Sequence, residues 1–182
     1  HNKGVSINQN KTLDNFLYKR VFKHTKVILL SKYLYSDIKK YVNKENVFYC
    51  PNGIPELSFD PVYKCKDNVQ LLFLSNLIES KGVFVLLKAL SILKDKKVKF
   101  TCNFVGGIGD ITEEAFNNKV RSLQLEDSVN YLGKKFGQDK VSVFSNSDIF
   151  VLPTFYHNEC FPLVLLEASQ FVETIEKRQG YK

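Results

Sequence analysis

Short apolar runs and stretches of helical periodicity take turns along almost the whole chain, and this alternation is the tightest constraint on its fold. Strands separated by helices pair in parallel through right-handed crossovers, so an α/β architecture built on parallel sheet is expected. Lys26-Val-Ile-Leu-Leu-Ser31 reads as a buried strand, after which Ser31 caps a helix with Leu34, Ile38, Tyr41 and Val42 on one face. Asn46 to Cys50 is a second strand, stopped by the Pro51-Asn52-Gly53 turn. Residues 55–69 are polar, carry two prolines and suit a linker.

The alternation then restarts. Strands are expected at Gln70–Leu74, Lys99–Val105, Val129–Leu132 and Asp148–Leu152. Helices are expected at Gly82–Lys94, Thr112–Leu123, Asp139–Ser145 and Phe161–Gln170, the first with Val85, Leu86, Ala89, Leu90 and Leu93 facing inward. Residues 1–54 hold two strands at most and read as the closing part of a larger domain, because a parallel sheet needs neighbours and both faces covered. Residues 70–182 form the second domain.

With 44% hydrophobic and 25% charged residues, the chain of 182 is ordinary for a globular protein, which argues against disorder. No run approaches the ~18 apolar residues of a membrane span. The N-terminus shows no basic-then-apolar leader pattern, so a cytoplasmic location is expected. Cys50, Cys65, Cys102 and Cys160 are scattered without a C-x-x-C, which favours structural thiols over a metal site or disulfides. The net charge of +7 leans to the start: residues 1–60 carry ten Lys and Arg against five Asp and Glu. A solvated surface accounts for that bias, and so does an anionic membrane surface or a phosphorylated substrate. Helix-turn-helix, zinc and RNP patterns are missing, so nucleic acid is not an expected partner.

Polar and flexible residues gather where the strands of the second half end. They are Ser75-Asn76, Gly106-Gly107-Ile108-Gly109, Gly133-Lys134-Lys135 and Pro153 to Glu159. In an open parallel sheet such points lie along one edge, where ligands bind, and glycine there lets a ligand approach the backbone. Lys81-Gly82, at the start of a helix, suits a phosphate, though taken alone the pair is better read as a solvated lysine beside a helix-starting glycine. Gly106 to Gly109 lacks the full G-x-G-x-x-G and taken alone reads as a turn. Pro162 fits the first turn of a helix, which places Glu159 just before it and Glu167 inside it. The residues between, Cys160 to Leu166, are wholly apolar. A carboxylate among them needs donors: sugar hydroxyls would serve, and so would a partner on a neighbouring helix.

These residues resemble glycosyltransferase family four, the retaining GT-B enzymes, across residues 1–168. The matching stretches are Val27–Ser31, Pro51–Pro55, Leu72–Leu77, Ser80–Val83, Val129–Gly133, Ser147–Pro153 and Glu159–Ala168, the last similar to the family's glutamate, seven residues, glutamate signature. The resemblance implies a GT-B-like α/β fold with a truncated donor-binding domain and the tail of an acceptor domain. It also implies transfer of a hexose from a UDP-, GDP- or ADP-sugar, with retention, to a glycan or lipid-linked acceptor, with no metal or other cofactor. Surface polysaccharide synthesis is the implied setting, on the inner face of a membrane.

The same resemblance assigns roles. Lys81 would hold the donor diphosphate, Glu167 the ribose hydroxyls and Glu159 the hydroxyls of the donor sugar. Backbone N–H groups of Phe161, Leu163 and Val164 would face the sugar and phosphates. Gly106 would line the donor site, Lys134 would lie against the base, and His1 would stand near the transferred sugar. An arginine often found five residues before the lysine is here Asn76. Residues 169–182 do not match the family. A non-catalytic nucleotide-sugar-binding module is the alternative. A Rossmann dehydrogenase is disfavoured, because no strand is followed by the glycine fingerprint with an acid ~20 positions on.

Overall fold

The computed structural model describes residues 5, 11–56, 67–156 and 162–179, with side chains of the last helix as far as Phe171. His1, Glu159 and Phe161 therefore lie outside the described residues, as do Cys65, His157 and Cys160. Two units divide at Ile54 and Pro55; the second runs to Tyr156 and resumes at Val164.

The first unit holds α1 (Thr12–Phe22), β1 (Val27–Leu29), α2 (Tyr35–Ile38) and β2 (Val47–Tyr49). The two strands pair in parallel, Val27 opposite Val47. Ile38, Val42 and Val47 form the core, with Phe22, Val27, Leu29, Tyr35 and Tyr41 packed on it. The Ser31 hydroxyl accepts from the Tyr33 N–H at 3.3 Å, but it caps a 3₁₀ turn over Lys32–Leu34. The helix expected to reach Val42 stops at Ile38, whose carbonyl accepts from both Tyr41 and Val42, a bifurcation common at helix ends. The face survives, since Val42 is buried. Helix α1 was not expected, because its apolar residues fall on more than one side. Tyr18 and Phe22 pack on the Tyr41 ring, at 5.5 and 6.2 Å between centroids, while Leu13, Phe16 and Val21 stay exposed.

The second unit runs β3 (Val69–Leu74), α3 (Val83–Asp95), β4 (Phe100–Val105), α4 (Glu113–Ser122), β5 (Val129–Tyr131), α5 (Gly137–Ser145), β6 (Ile149–Phe150) and α6 (Leu163–Gln179). Its sheet is wholly parallel in the order β5-β4-β3-β6. The chain thus builds outward from β3 through β4 to β5, then returns to the other side of β3. Strand direction fixes which face each side chain meets. Leu71 and Phe73 enter a core with Phe104, Leu86, Leu87, Leu90, Phe116 and Val120, on the side of α3 and α4. Leu72 and Val105 enter the opposite core with Val141, Phe144, Ala168 and Phe171, on the side of α5 and α6. Among the described residues no helix is long and apolar enough to cross a membrane.

Three sequence expectations need correction here. Val85 and Ala89 are exposed, and the inner face of α3 is Val83, Leu86, Leu87 and Leu90. An apolar run this dense fits two helical faces, and tertiary contact chose between them. Lys81 does not open α3; it closes a 3₁₀ turn over Glu79–Lys81, and Gly82 at φ 86° turns the chain into the helix. Helix α6 continues past Gln170 to Gln179.

The Phe104 ring, fully buried and 5.0 Å from both Phe73 and Phe116, sits at the centre of this packing. Phe104→Ala is expected to destabilise the chain by about 3–5 kcal/mol. Val85→Ala should change stability by less than about 0.5 kcal/mol. Urea denaturation checks both, and equal midpoints for the two variants would overturn the assignment of the core.

Candidate functional site

A doubly wound sheet leaves a crevice where the crossovers diverge, at the carboxyl ends of its central strands. Here β3 is the strand from which the order runs both ways. A cavity of about 610 Å³ lies at this end, lined by Leu74, Ser75 and Asn76 after β3 and by Val105, Gly106 and Gly107 after β4. Lys134 to Gly137, Lys140, Val141 and Phe144 continue the wall, and Glu167 of α6 completes it. That volume suits a ligand of small-molecule size.

The floor is knitted by backbone hydrogen bonds. Ser75 donates its N–H to the Val105 carbonyl at 2.9 Å, Leu77 to Gly107 at 2.8 Å and Gly106 to Gly133 at 2.9 Å. The Asn76 side-chain carbonyl accepts from the Gly107 N–H at 2.9 Å. The Tyr131 hydroxyl donates to the Gly106 carbonyl at 2.9 Å. Burial first, and the Glu113 carboxylate second, push that hydroxyl above its ordinary pKa and keep it a donor. Gly106 is required by these approaches, while Gly107 leaves room that a lysine side chain takes up. A Cβ on Gly106, at φ 153°, would lie 2.0 Å from the Ser75 carbonyl oxygen. A Cβ on Gly107 would lie 2.3 Å from Cε of Lys134, whose stem crosses this turn. The glycine run, weak as a motif, is thus a place where three segments of backbone and a lysine converge.

Among the sequence candidates, Asn76, Gly106, Lys134 and Glu167 meet in this cavity. Glu167 does so already paired: both its carboxylate oxygens lie 2.6 Å from the Lys140 ammonium, the neighbouring-helix partner that was one of its two readings. Lys140 itself was not foreseen. Its signal is faint, one lysine on a short helix, and becomes visible only when α5 is laid beside α6.

Lys81 belongs to a different group. Its ammonium lies over the Tyr156 ring, 4.8 Å from the centroid, and burial holds its pKa below the ordinary lysine value. The segment Pro153–Tyr156 packs on this turn, Phe155 donating to the Ser80 carbonyl at 2.9 Å. It does not line the cavity, so three of the four strand ends, joined by α5 and α6, form it. Val164 packs against the α5 and α6 core, while Leu163 is exposed at the start of α6. Cys102 is buried, its thiol pushed up to about 12, and Cys50 is exposed; neither lines the cavity.

A cavity of small-molecule size at the carboxyl ends of the strands of a doubly wound parallel sheet, rimmed by glycine backbone and lysines, lies where α/β proteins of this class bind ligands. The model of the family described as glycosyl transferases group 1 matches residues 57–172, past the limit at Ala168, and the chain belongs to this family. An uncharacterized glycosyltransferase of Haemophilus influenzae is 31% identical over 105 residues, covering 58% of this chain and 28% of that protein. The putative colanic acid biosynthesis glycosyltransferase WcaL of Escherichia coli is 24% identical over 175 residues, covering 91% of this chain and 43% of its own length. Anabaena HepE, solved in complex with UDP and glucose, superposes with a TM-score of 0.68 at 18% identity over 92% of this chain and 48% of that one. The chain thus spans less than half the length of the curated relatives it matches, and its fold is GT-B-like α/β.

The tight floor makes a prediction. Gly106→Ala combines overpacking with a strained φ and is expected to cost about 2–6 kcal/mol. Gly137, at φ 50°, has nothing within 4 Å of an added Cβ. Gly137→Ala should therefore cost only the left-handed penalty, about 1–2 kcal/mol. Thermal or urea unfolding of the pair separates clash from backbone strain.

Proposed function

We propose that the cavity after β3 and β4 is the donor site of a glycosyltransferase that moves a hexose from a nucleotide sugar to a glycan or lipid-linked acceptor. The observation that carries this reading is the composition of the wall: glycine backbone, three lysines and one carboxylate, on a lining otherwise mostly apolar. Lys134, Lys135 and Lys140 against Glu167 leave a cationic excess, which suits a diphosphate. The Lys134 stem lies on Gly107, which sets its ammonium at the glycine turn beside Asn76. On this reading Lys134 faces the phosphates as readily as the base, and it supplies positive charge beside the neutral Asn76.

Sugar transfer breaks the bond between the anomeric carbon and the diphosphate oxygen, so negative charge builds on the leaving group. Fixed cations there stabilise the transition state more than the ground state. Lys81 joins them by moving its ammonium from the Tyr156 ring to the phosphate. Glu167 accepts from the ribose hydroxyls. Retention of configuration, the hexose donor and the roles of Glu159, His1 and the Phe161–Val164 backbone rest on the family resemblance.

Calorimetric titration with UDP, GDP and ADP tests the site. One nucleotide is expected to bind, UDP being the first to try because HepE holds it. Lys134→Ala and Glu167→Ala should each weaken it roughly tenfold, the worth of a hydrogen bond to a charged group. Binding that neither substitution affects would place the nucleotide elsewhere.

The first unit supports a second part of the reading. Exposed Leu13, Phe16 and Val21 on α1 share the helix with Lys19 and Arg20, and Lys23 follows. Apolar residues with flanking cations suit adsorption to an anionic lipid surface, where lipid-linked acceptors reside. Sedimentation should then show more chain on vesicles containing phosphatidylglycerol than on phosphatidylcholine alone. Leu13→Asp with Phe16→Asp should abolish that preference.

A further inference from the structure

We infer that Lys140 is a positioning residue for ribose recognition, fixing the Glu167 carboxylate so that it can accept from both hydroxyls of a vicinal diol. The inference rests on the donor-site reading above and adds to it the residue that makes Glu167 competent. Glu167 is only about a fifth exposed and shares the cavity wall with Leu74, Val105, Val141 and Phe144. A carboxylate in such surroundings needs a fixed partner, and a cation that engages it while leaving acceptor positions open holds it oriented toward the diol.

Lys140 supplies that cation with particular geometry. Its ammonium lies 2.6 Å from each carboxylate oxygen, so it engages the group symmetrically. An ionised carboxylate has about four lone-pair directions, two on each oxygen. Symmetric engagement by one ammonium uses one on each and leaves one on each. The two that remain match in number the two hydroxyl donors of a ribose 2′,3′-diol.

The fold holds the pair in place. Lys140 precedes Val141 in α5, and Glu167 precedes Ala168 in α6; Val141 and Ala168 lie in one buried cluster. In the same seam Phe144 stacks on Phe171, 5.0 Å between centroids and 16° between planes. The carboxylate is therefore fixed by the packing of two helices as well as by charge, and a neutral side chain at 140 would leave the helices together but free the carboxylate to rotate.

The test measures discrimination rather than affinity alone. UDP, GDP and ADP and their 2′-deoxy forms are titrated into the chain, into Lys140→Met and into Lys140→Arg, with thermal unfolding of each variant alongside. The unsubstituted chain is expected to prefer the ribonucleotide by roughly tenfold, one charge-assisted hydrogen bond. Lys140→Met should bring that ratio close to one, and Lys140→Arg should restore most of it. In a Glu167→Gln background the ratio should not respond to residue 140, which keeps the test decisive should Lys140→Met unfold. A ratio that Lys140→Met leaves unchanged overturns the inference, whatever happens to absolute affinity. So does equal binding of ribo and deoxy forms by the unsubstituted chain, which leaves the donor site itself standing. Binding of no nucleotide overturns the donor-site reading and the inference together.

Discussion

Everything at the site depends on β3 being flanked on both edges by parallel partners. Its pairing with β4 runs from Val69 opposite Phe100 to Leu74 opposite Val105, while Leu71 and Leu72 face Ile149 and Phe150 of β6. A strand in that position is buried on both faces, which is why Val69-Gln-Leu-Leu-Phe-Leu74 is almost continuously apolar. Because β4 and β5 lie on one side and β6 on the other, the crossovers leave β3 in opposite directions. Helices α3 and α4 cover one face, α5 and α6 the other. The gap between these two sets opens where β3 ends, and no other feature is needed to create the crevice.

What the crevice becomes is decided by how closely the chain can approach itself just beyond the strand ends. Ser75 continues the β3–β4 ladder by one more hydrogen bond, to the Val105 carbonyl, beside a space where a side chain at 106 would overlap the Ser75 carbonyl. The Asn76 side chain then spends its carbonyl on the Gly107 N–H, so its amide nitrogen is what it offers elsewhere. Gly107, with no side chain, lets the Lys134 stem cross the turn. Polar backbone that would otherwise need solvent is satisfied internally, and what faces the cavity is a set of fixed dipoles and ammonium groups.

The α/β class and the succession of strands and helices along the second unit were legible because burial on two faces writes a continuous apolar run between turn residues, and the run shows in sequence. The register of α3 was not, since Val83 to Leu87 is apolar on every side and only the sheet beneath selects Val83 and Leu87 over Val85 and Ala89. Asn76, Gly106, Lys134 and Glu167, which line one cavity, stood out as candidates because each stands at a strand end or inside an apolar stretch, where a polar or flexible residue needs a reason. Lys140 stands on an exposed-looking helical turn, Gly-Gln-Asp-Lys, where a lysine needs none. Its partner lies 27 residues on, and only tertiary packing brings the two together. The extent of α6 was missed, since the helix was expected to end at Gln170 and runs on to Gln179.

The balance of charge in the cavity follows from these placements. Three lysines and one glutamate converge on a mostly apolar wall, and one lysine is tied to the glutamate at 2.6 Å. That pair is close to neutral as seen from across the cavity, so it contributes little long-range attraction and much local direction. Lys134, whose stem crosses the glycine turn, and Lys135 then carry the remaining positive potential. A ligand anionic at one end and hydroxylated at the other would be oriented by this division before any close contact formed, charge toward Lys134 and hydroxyls toward Glu167. The burial that lowers the pKa of Lys81 on Tyr156 works in the same sense, since an ammonium short of hydration gains more from meeting a phosphate than a fully solvated one does.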